Sequence, residues 1–79
     1  MAAQAQAHWA KQEKVMTFQE LEPGDEFTFR PDFDIWYTVD TRPKLTDIKR
    51  ERMVLGVLNC GKTFAYAYSR VMVRRWIRT

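Results

Sequence analysis

Residues 52–68, Arg52-Met53-Val54-Leu55-Gly56-Val57-Leu58-Asn59-Cys60-Gly61-Lys62-Thr63-Phe64-Ala65-Tyr66-Ala67-Tyr68, read as two strands joined by a tight turn. Arg52–Leu58 is apolar on both faces, as a central strand requires. Thr63–Tyr68 alternates aromatic with small, Phe64, Tyr66 and Tyr68 against Ala65 and Ala67. Asn59-Cys60-Gly61 fits a three-residue hairpin loop with glycine in the left-handed position. That register sets Gly56 opposite Phe64, whose ring then covers the bare glycine backbone. A two-residue Cys60-Gly61 turn is the alternative and sets Leu55 opposite Tyr66. A helix over 62–77 competes, because Phe64, Tyr68, Val71 and Arg75 fall at helical spacing. The β propensity of Tyr66, Tyr68, Val71 and Val73 and the alternation across two runs favour strands.

The same stretch contains Gly56-Val57-Leu58-Asn59-Cys60-Gly61-Lys62-Thr63, which fits the phosphate-loop pattern G-x-x-x-x-G-K-[ST]. Such a loop works by wrapping backbone N–H groups around a phosphate at the start of a helix. Here Val57 and Leu58 place apolar side chains in the cradle, and the residues after Thr63 read as strand. No second acidic strand is at hand to hold magnesium. The hairpin accounts for the same residues.

Upstream, Glu26–Arg30 alternates, with Phe27 and Phe29 on one face, until Pro31-Asp32-Phe33-Asp34 breaks it. Ile35–Asp40 puts Ile35, Tyr37 and Val39 on one face and Trp36 and Thr38 on the other. Thr41–Asp47 contains Pro43 and reads as a loop. Downstream, Ser69-Arg70 turns into Val71–Ile77, where Val71, Val73 and Ile77 oppose Met72, Arg74 and Trp76. Thr17-Phe18-Gln19-Glu20 carries a capping-box signature for a single helical turn over about 18–21, which Pro23-Gly24-Asp25 ends.

The order of these elements resembles a Src-homology-3-like (SH3-like) barrel over residues 17–77. The opening Thr17-Phe18-x-x-Leu21-x-Pro23-Gly24-Asp25-x-Phe27 is similar to the start of small barrel proteins encoded by phages and bacteria. The expected fold is therefore all-β: a small five-stranded SH3-like barrel with a short helical turn before its first strand. Closure of a barrel removes the exposed edges of a short all-β chain.

Residues 1–15 differ from the rest, being rich in Ala and Gln without an apolar stripe. They read as a flexible N-terminal extension, or as a helix that forms on a partner with Trp9 as anchor, ahead of a barrel domain over 16–79. They lack the early positive region and apolar run of a secretory signal, and no stretch is apolar for long enough to cross a membrane.

Seventy-nine residues allow one domain with a small core. The single cysteine, Cys60, makes no internal disulfide and suits a reducing cytosol, that of the host cell if the protein is phage-encoded. Cys60 and His8 cannot assemble a metal site within one chain. Asp32 and Asp34 in a loop and Asp25-Glu26 at a turn are paired carboxylates of the kind that act as acid and base or take a hard cation. Turn chemistry explains Asp32 and Asp34, and solubility explains Glu20 and Glu22. No nucleophile, base and acid group together, so neither an enzyme nor a cofactor is expected.

Charge carries the functional signal. Residues 1–40 have a net charge of −5 and residues 41–79 a net of +8, with seven arginines to three lysines in the second half. A basic surface attracts polyanions, and arginine suits phosphate better than solubility alone demands. The expected function is a small binding module that takes the backbone of DNA or RNA through Lys49, Arg50, Arg52, Lys62, Arg70, Arg74, Arg75 and Arg78. Trp36, Trp76 and Phe33 are candidate stacking or interface aromatics. Pairing of early acids with late bases, such as Arg30 with Asp40 or Arg74 with an acid on a neighbouring strand, would cancel the field. In that case a protein-interaction module that docks on a larger host or viral complex is the alternative. Self-association is a further expectation for so small a barrel.

Overall fold

In a computed structural model that describes residues 9–78, the chain is all-β: six strands form one open, antiparallel sheet. They are β1 (Trp9–Thr17), β2 (Glu26–Thr28), β3 (Tyr37–Asp47), β4 (Arg52–Val57), β5 (Gly61–Tyr66) and β6 (Arg70–Arg78). Their order across the sheet is β1-β6-β2-β3-β4-β5. Two 3₁₀ turns, Phe18–Glu20 and Pro31–Phe33, interrupt the chain before and after β2.

Alternation decides which side of each strand is buried. Phe27, Val39, Leu55, Val71 and Val73 point to one side and form the core with Phe18, Leu21, Met16, Met53, Val57 and Ala67. Tyr37 and Ala65 pack against them. Phe18 and Phe27 meet edge to face with ring centres 6.3 Å apart, and Phe29 stacks on Phe18 at 6.1 Å. The helical alternative over 62–77 is excluded, since β5 and β6 fill that segment.

The strand count differs from the expected five because of β1. Trp9–Thr17 pairs with β6 along its whole length, from Trp9 opposite Arg78 to Thr17 opposite Arg70. Half of the segment expected to be a flexible extension is thus strand; residues 1–8 lie outside the described residues. The cause is tertiary. β6 would otherwise present an unpaired edge nine residues long, and ladder hydrogen bonds to it outweigh the local helix preference of Ala, Gln and Lys. Only Met16 of β1 reaches the core.

β3 also runs further than expected, through Pro43 to Asp47. Beyond Val39 its β2 side is unpaired, so a proline there breaks no ladder bond. Register irregularities between Val39 and Thr41 and between Thr41 and Lys44 absorb the misfit. The β4–β5 hairpin has a three-residue loop, but it is Leu58-Asn59-Cys60, one residue earlier than expected. Asn59 (φ 64°) and Gly61 (φ 84°) both take left-handed conformations. Gly56 therefore faces Lys62, and Phe64 faces Val54. Because this register moves each partner by two residues, every side chain keeps its face.

Near Phe18 the open sheet curls towards itself. Phe18 and Gln19 donate their N–H groups to the carbonyls of Ser69 and Ala67 at 2.8 and 3.0 Å, just beyond the end of β5. The single turn ahead of β2 is 3₁₀ rather than α-helical and is held by Glu20. Its Oε1 accepts the N–H of Thr17 at 3.0 Å and the hydroxyl of Thr17 at 2.6 Å.

Candidate nucleic-acid interface

The late bases do not form one patch. They divide according to the strand that carries them, and the strand order of the sheet explains why.

On β6 the two central arginines, Arg74 and Arg75, are occupied. Arg75 points to the core side and does not escape to solvent, contrary to the expectation from its place near the chain end. Its Nε and Nη2 donate to Oδ1 and Oδ2 of Asp25 at 2.8 and 2.7 Å, with Glu22 Oε2 at 3.3 Å. Asp25 is 3 % exposed, held by the turn at Pro23-Gly24, and also accepts the N–H of Glu22. The hydrogen bond to Asp25 is the main cause that raises the Arg75 pKa above its ordinary value. Arg74 lies on the opposite side, half-buried: its Nε donates to Glu13 Oε1 at 2.8 Å and its guanidinium sits 3.7 Å over the Trp36 ring. Both partners on β6 come from the acidic half, because β1 and β2 flank β6. Arg70 and Arg78 are exposed at opposite ends of the strand, about 26 Å apart at the usual rise, and join neither pair.

The aromatics expected to stack are already engaged by cations of the chain itself. Arg30 lies 4.3 Å over Phe33, and Lys11 lies 5.0 Å over Trp76. Trp36 carries Arg74, and its indole N–H donates to Asp34 at 3.1 Å. Around them Lys11 pairs with Glu26 at 3.0 Å and Arg30 with Asp32 at 3.4 Å, so the cations beside these rings are neutralised. A hollow of about 570 Å³ is lined by Glu22, Asp25, Arg42, Arg75 and Trp76 among others. Its charged groups satisfy one another, Arg42 reaching Glu22 at 3.5 Å.

The outward face of β3-β4-β5 is different. Cross-strand pairing sets Lys44, Val54 and Phe64 in one row. Arg52 lies beside Tyr66 in the next row, and Gly56 beside Lys62 in the row on the other side. Among the described residues Lys44, Arg52 and Lys62 make no ion pair. Asp47, opposite Arg52, turns its carboxylate to the N–H of Arg50 at 3.2 Å. Phe64 and Tyr66 are 55 % and 56 % exposed, and no cation or ring of the described chain covers either. Between the lysines lies a hollow of about 190 Å³ lined by Thr41, Arg42, Lys44, Val54, Leu55, Gly56 and Lys62, with no carboxylate. Its floor exists because Gly56 has no side chain; its N–H donates to Thr41 Oγ1 at 2.9 Å.

Of the expected basic residues, then, the β3-β4-β5 face carries Arg52 and Lys62, in the rows on either side of Phe64, with Lys49 and Arg50 in the adjoining β3–β4 turn, where Arg50 Nε lies 4.0 Å from Asp47 Oδ2. Sequence reasoning missed Lys44, Phe64 and Tyr66. The alternation in β5 was visible, but periodicity alone does not say which face is inward. The small residues Thr63, Ala65 and Ala67 take the core side.

A third feature is apolar. Phe29, Phe33, Ile35 and Tyr37 line a cleft of about 150 Å³ with Thr28 and Arg30. Among the described residues no cluster of His, Cys, Asp or Glu is suited to hold a metal, and no helix is long and apolar enough to cross a membrane. Comparison with family models, with curated proteins and with solved structures finds no match.

Proposed function

We propose that this is a small non-enzymatic module that binds nucleic acid, and that the ligand's backbone lies across the outward face of β3-β4-β5. The observation that carries the reading is the trio Lys44, Arg52 and Lys62, unpaired among the described residues, beside the exposed rings of Phe64 and Tyr66. Phosphate contacts supply most of the affinity of such a face and little sequence readout. Arg74 and Arg75 of β6, neutralised by Glu13, Glu22 and Asp25, are left out of it, and Arg70 and Arg78 stand at the far ends of that strand.

An SH3-like barrel remains our reading of the architecture. In support, β2 to β6 follow the order β6-β2-β3-β4-β5, the last strand beside the first, and backbone bonds from Phe18 and Gln19 draw the two ends of the sheet together. β1 is then an added strand. An exposed free thiol at Cys60 suits a cytosolic protein, in a host cell if the gene is a phage's.

The test is titration of labelled single- and double-stranded oligonucleotides at two salt concentrations, with the wild type and the triple variant K44A/R52A/K62A. Binding that weakens with salt and is lost in the variant is expected. No binding at low salt, or binding indifferent to salt, overturns the reading.

The second reading is a protein-docking module. The cleft at Phe29, Phe33 and Ile35, with all three side chains at least 40 % exposed, favours it. A defined partner lost on F33A/I35S, together with silence towards oligonucleotides, would decide for it.

A further inference from the structure

We infer, resting on the nucleic-acid reading above, that the ligand of this face is an unpaired strand, its bases stacked on Phe64 and Tyr66 and its phosphates drawn to Lys44 and Lys62.

Phe64 and Tyr66 are alternate residues of one strand, so their side chains leave the same face about 7 Å apart. That is roughly twice the rise of a stacked base in a duplex strand, and an extended single strand can place successive bases there. A duplex keeps the flat faces of its bases inside the stack and offers only phosphates and groove edges to a sheet. Two rings standing out from the sheet would be covered by a duplex backbone without a π-face to meet. An unpaired base supplies that face, whatever its identity.

The charges fall where such a strand needs them. Lys62 precedes Phe64 by two residues on the same strand, and Lys44 lies across β4 in the Phe64 row, about 10 Å away. The hollow between the lysines lies beside the rings and contains no carboxylate to repel a phosphate. The contrast within the molecule is informative. Trp36, Trp76 and Phe33 each hold a cation of the chain itself, while among the described residues Phe64 and Tyr66 hold none.

The experiment compares an oligothymidylate with a hairpin duplex of matched length at low salt, by fluorescence anisotropy. The variants are F64L/Y66L, which keeps bulk and loses the π-faces, and K44A/K62A; circular dichroism confirms that each is folded. The single strand should bind about tenfold or more tightly than the duplex. F64L/Y66L should weaken the single strand by about tenfold or more and leave duplex binding unchanged. K44A/K62A should weaken both. Duplex binding as tight as that of the single strand, or an F64L/Y66L variant that binds oligothymidylate as the wild type does, overturns the stacking role and leaves the basic face standing. Failure of both probes to bind the wild type overturns both readings.

Discussion

The guanidinium of Arg75 grips Asp25 through two parallel hydrogen bonds of 2.8 and 2.7 Å, joining residues 50 apart in sequence. Asp25 is buried and its turn packs against β3, where Val39 donates its N–H to the Asp25 carbonyl at 2.8 Å. Losing the arginine strands a buried carboxylate, which costs more than the pair contributes when intact. R75Q should therefore lower stability by about 2–4 kcal/mol, seen as a lower urea midpoint with the slope unchanged. R75K should recover only part, because an ammonium cannot reproduce the fork. Oligonucleotide affinity of the folded R75Q fraction should match the wild type, since this arginine faces Asp25 and not the β3-β4-β5 surface.

Glu20 predicts a pH dependence. Its pKa is lowered, first by the hydrogen bond from the Thr17 hydroxyl and then by that from the Thr17 N–H. A carboxylate whose folded pKa lies below its unfolded one adds stability above the unfolded value and loses it as pH falls through the folded value. The wild type should thus lose stability in acid more steeply than E20Q, and the two curves should converge once Glu20 is protonated. Chemical denaturation at a series of pH values below neutral checks this. T17V, which removes the hydroxyl and keeps the N–H, should flatten the curve partway.

What the sequence made legible was local. Alternation placed Phe27, Val39, Val71 and Val73 on buried faces and set the all-β class, because a period of two is written in neighbouring residues. The position of β1 was not legible, since nothing in Trp9–Thr17 names β6 as its partner. The Glu13–Arg74 pair spans 61 residues. That same strand order undid the charge argument: it set the acids of β1 and of the turn before β2 against Arg74 and Arg75, and among the described residues left Lys44, Arg52 and Lys62 without an ion pair. Pro43 misled for a related reason, as its meaning depends on whether β3 has a neighbour on that side.

Gly56 and Thr41 should show a strong coupling. A Cβ on Gly56 would lie 2.5 Å from Thr41 Oγ1, closer than packing allows. G56A should cost about 1–3 kcal/mol, the range of overpacking. T41A alone should cost less, as it removes an exposed acceptor from the Gly56 N–H. The double variant T41A/G56A should be more stable than G56A, so that a double-mutant cycle gives a coupling above about 0.5 kcal/mol. Additive losses would show that the strand shifts to make room.

The salt dependence of oligonucleotide binding should divide the basic residues into two classes. Each phosphate neutralised on a single strand adds about 0.7 to the slope of log K against log salt. Lys44, Arg52 and Lys62 are exposed and unpaired among the described residues, so alanine at any one should reduce the slope by about that amount. Their substitution should leave stability within about 0.5 kcal/mol, as is usual for surface positions without special contacts. Arg74 should behave in the opposite way. Its guanidinium is held between Glu13 and Trp36, so R74A should leave the slope unchanged and lower stability, because two contacts at 2.8 and 3.7 Å are lost. Measuring both quantities for all four variants separates a charge that meets ligand from one that holds the sheet. A slope that falls equally for R74A and K62A would place the ligand across β6 and remove the case for the β3-β4-β5 face.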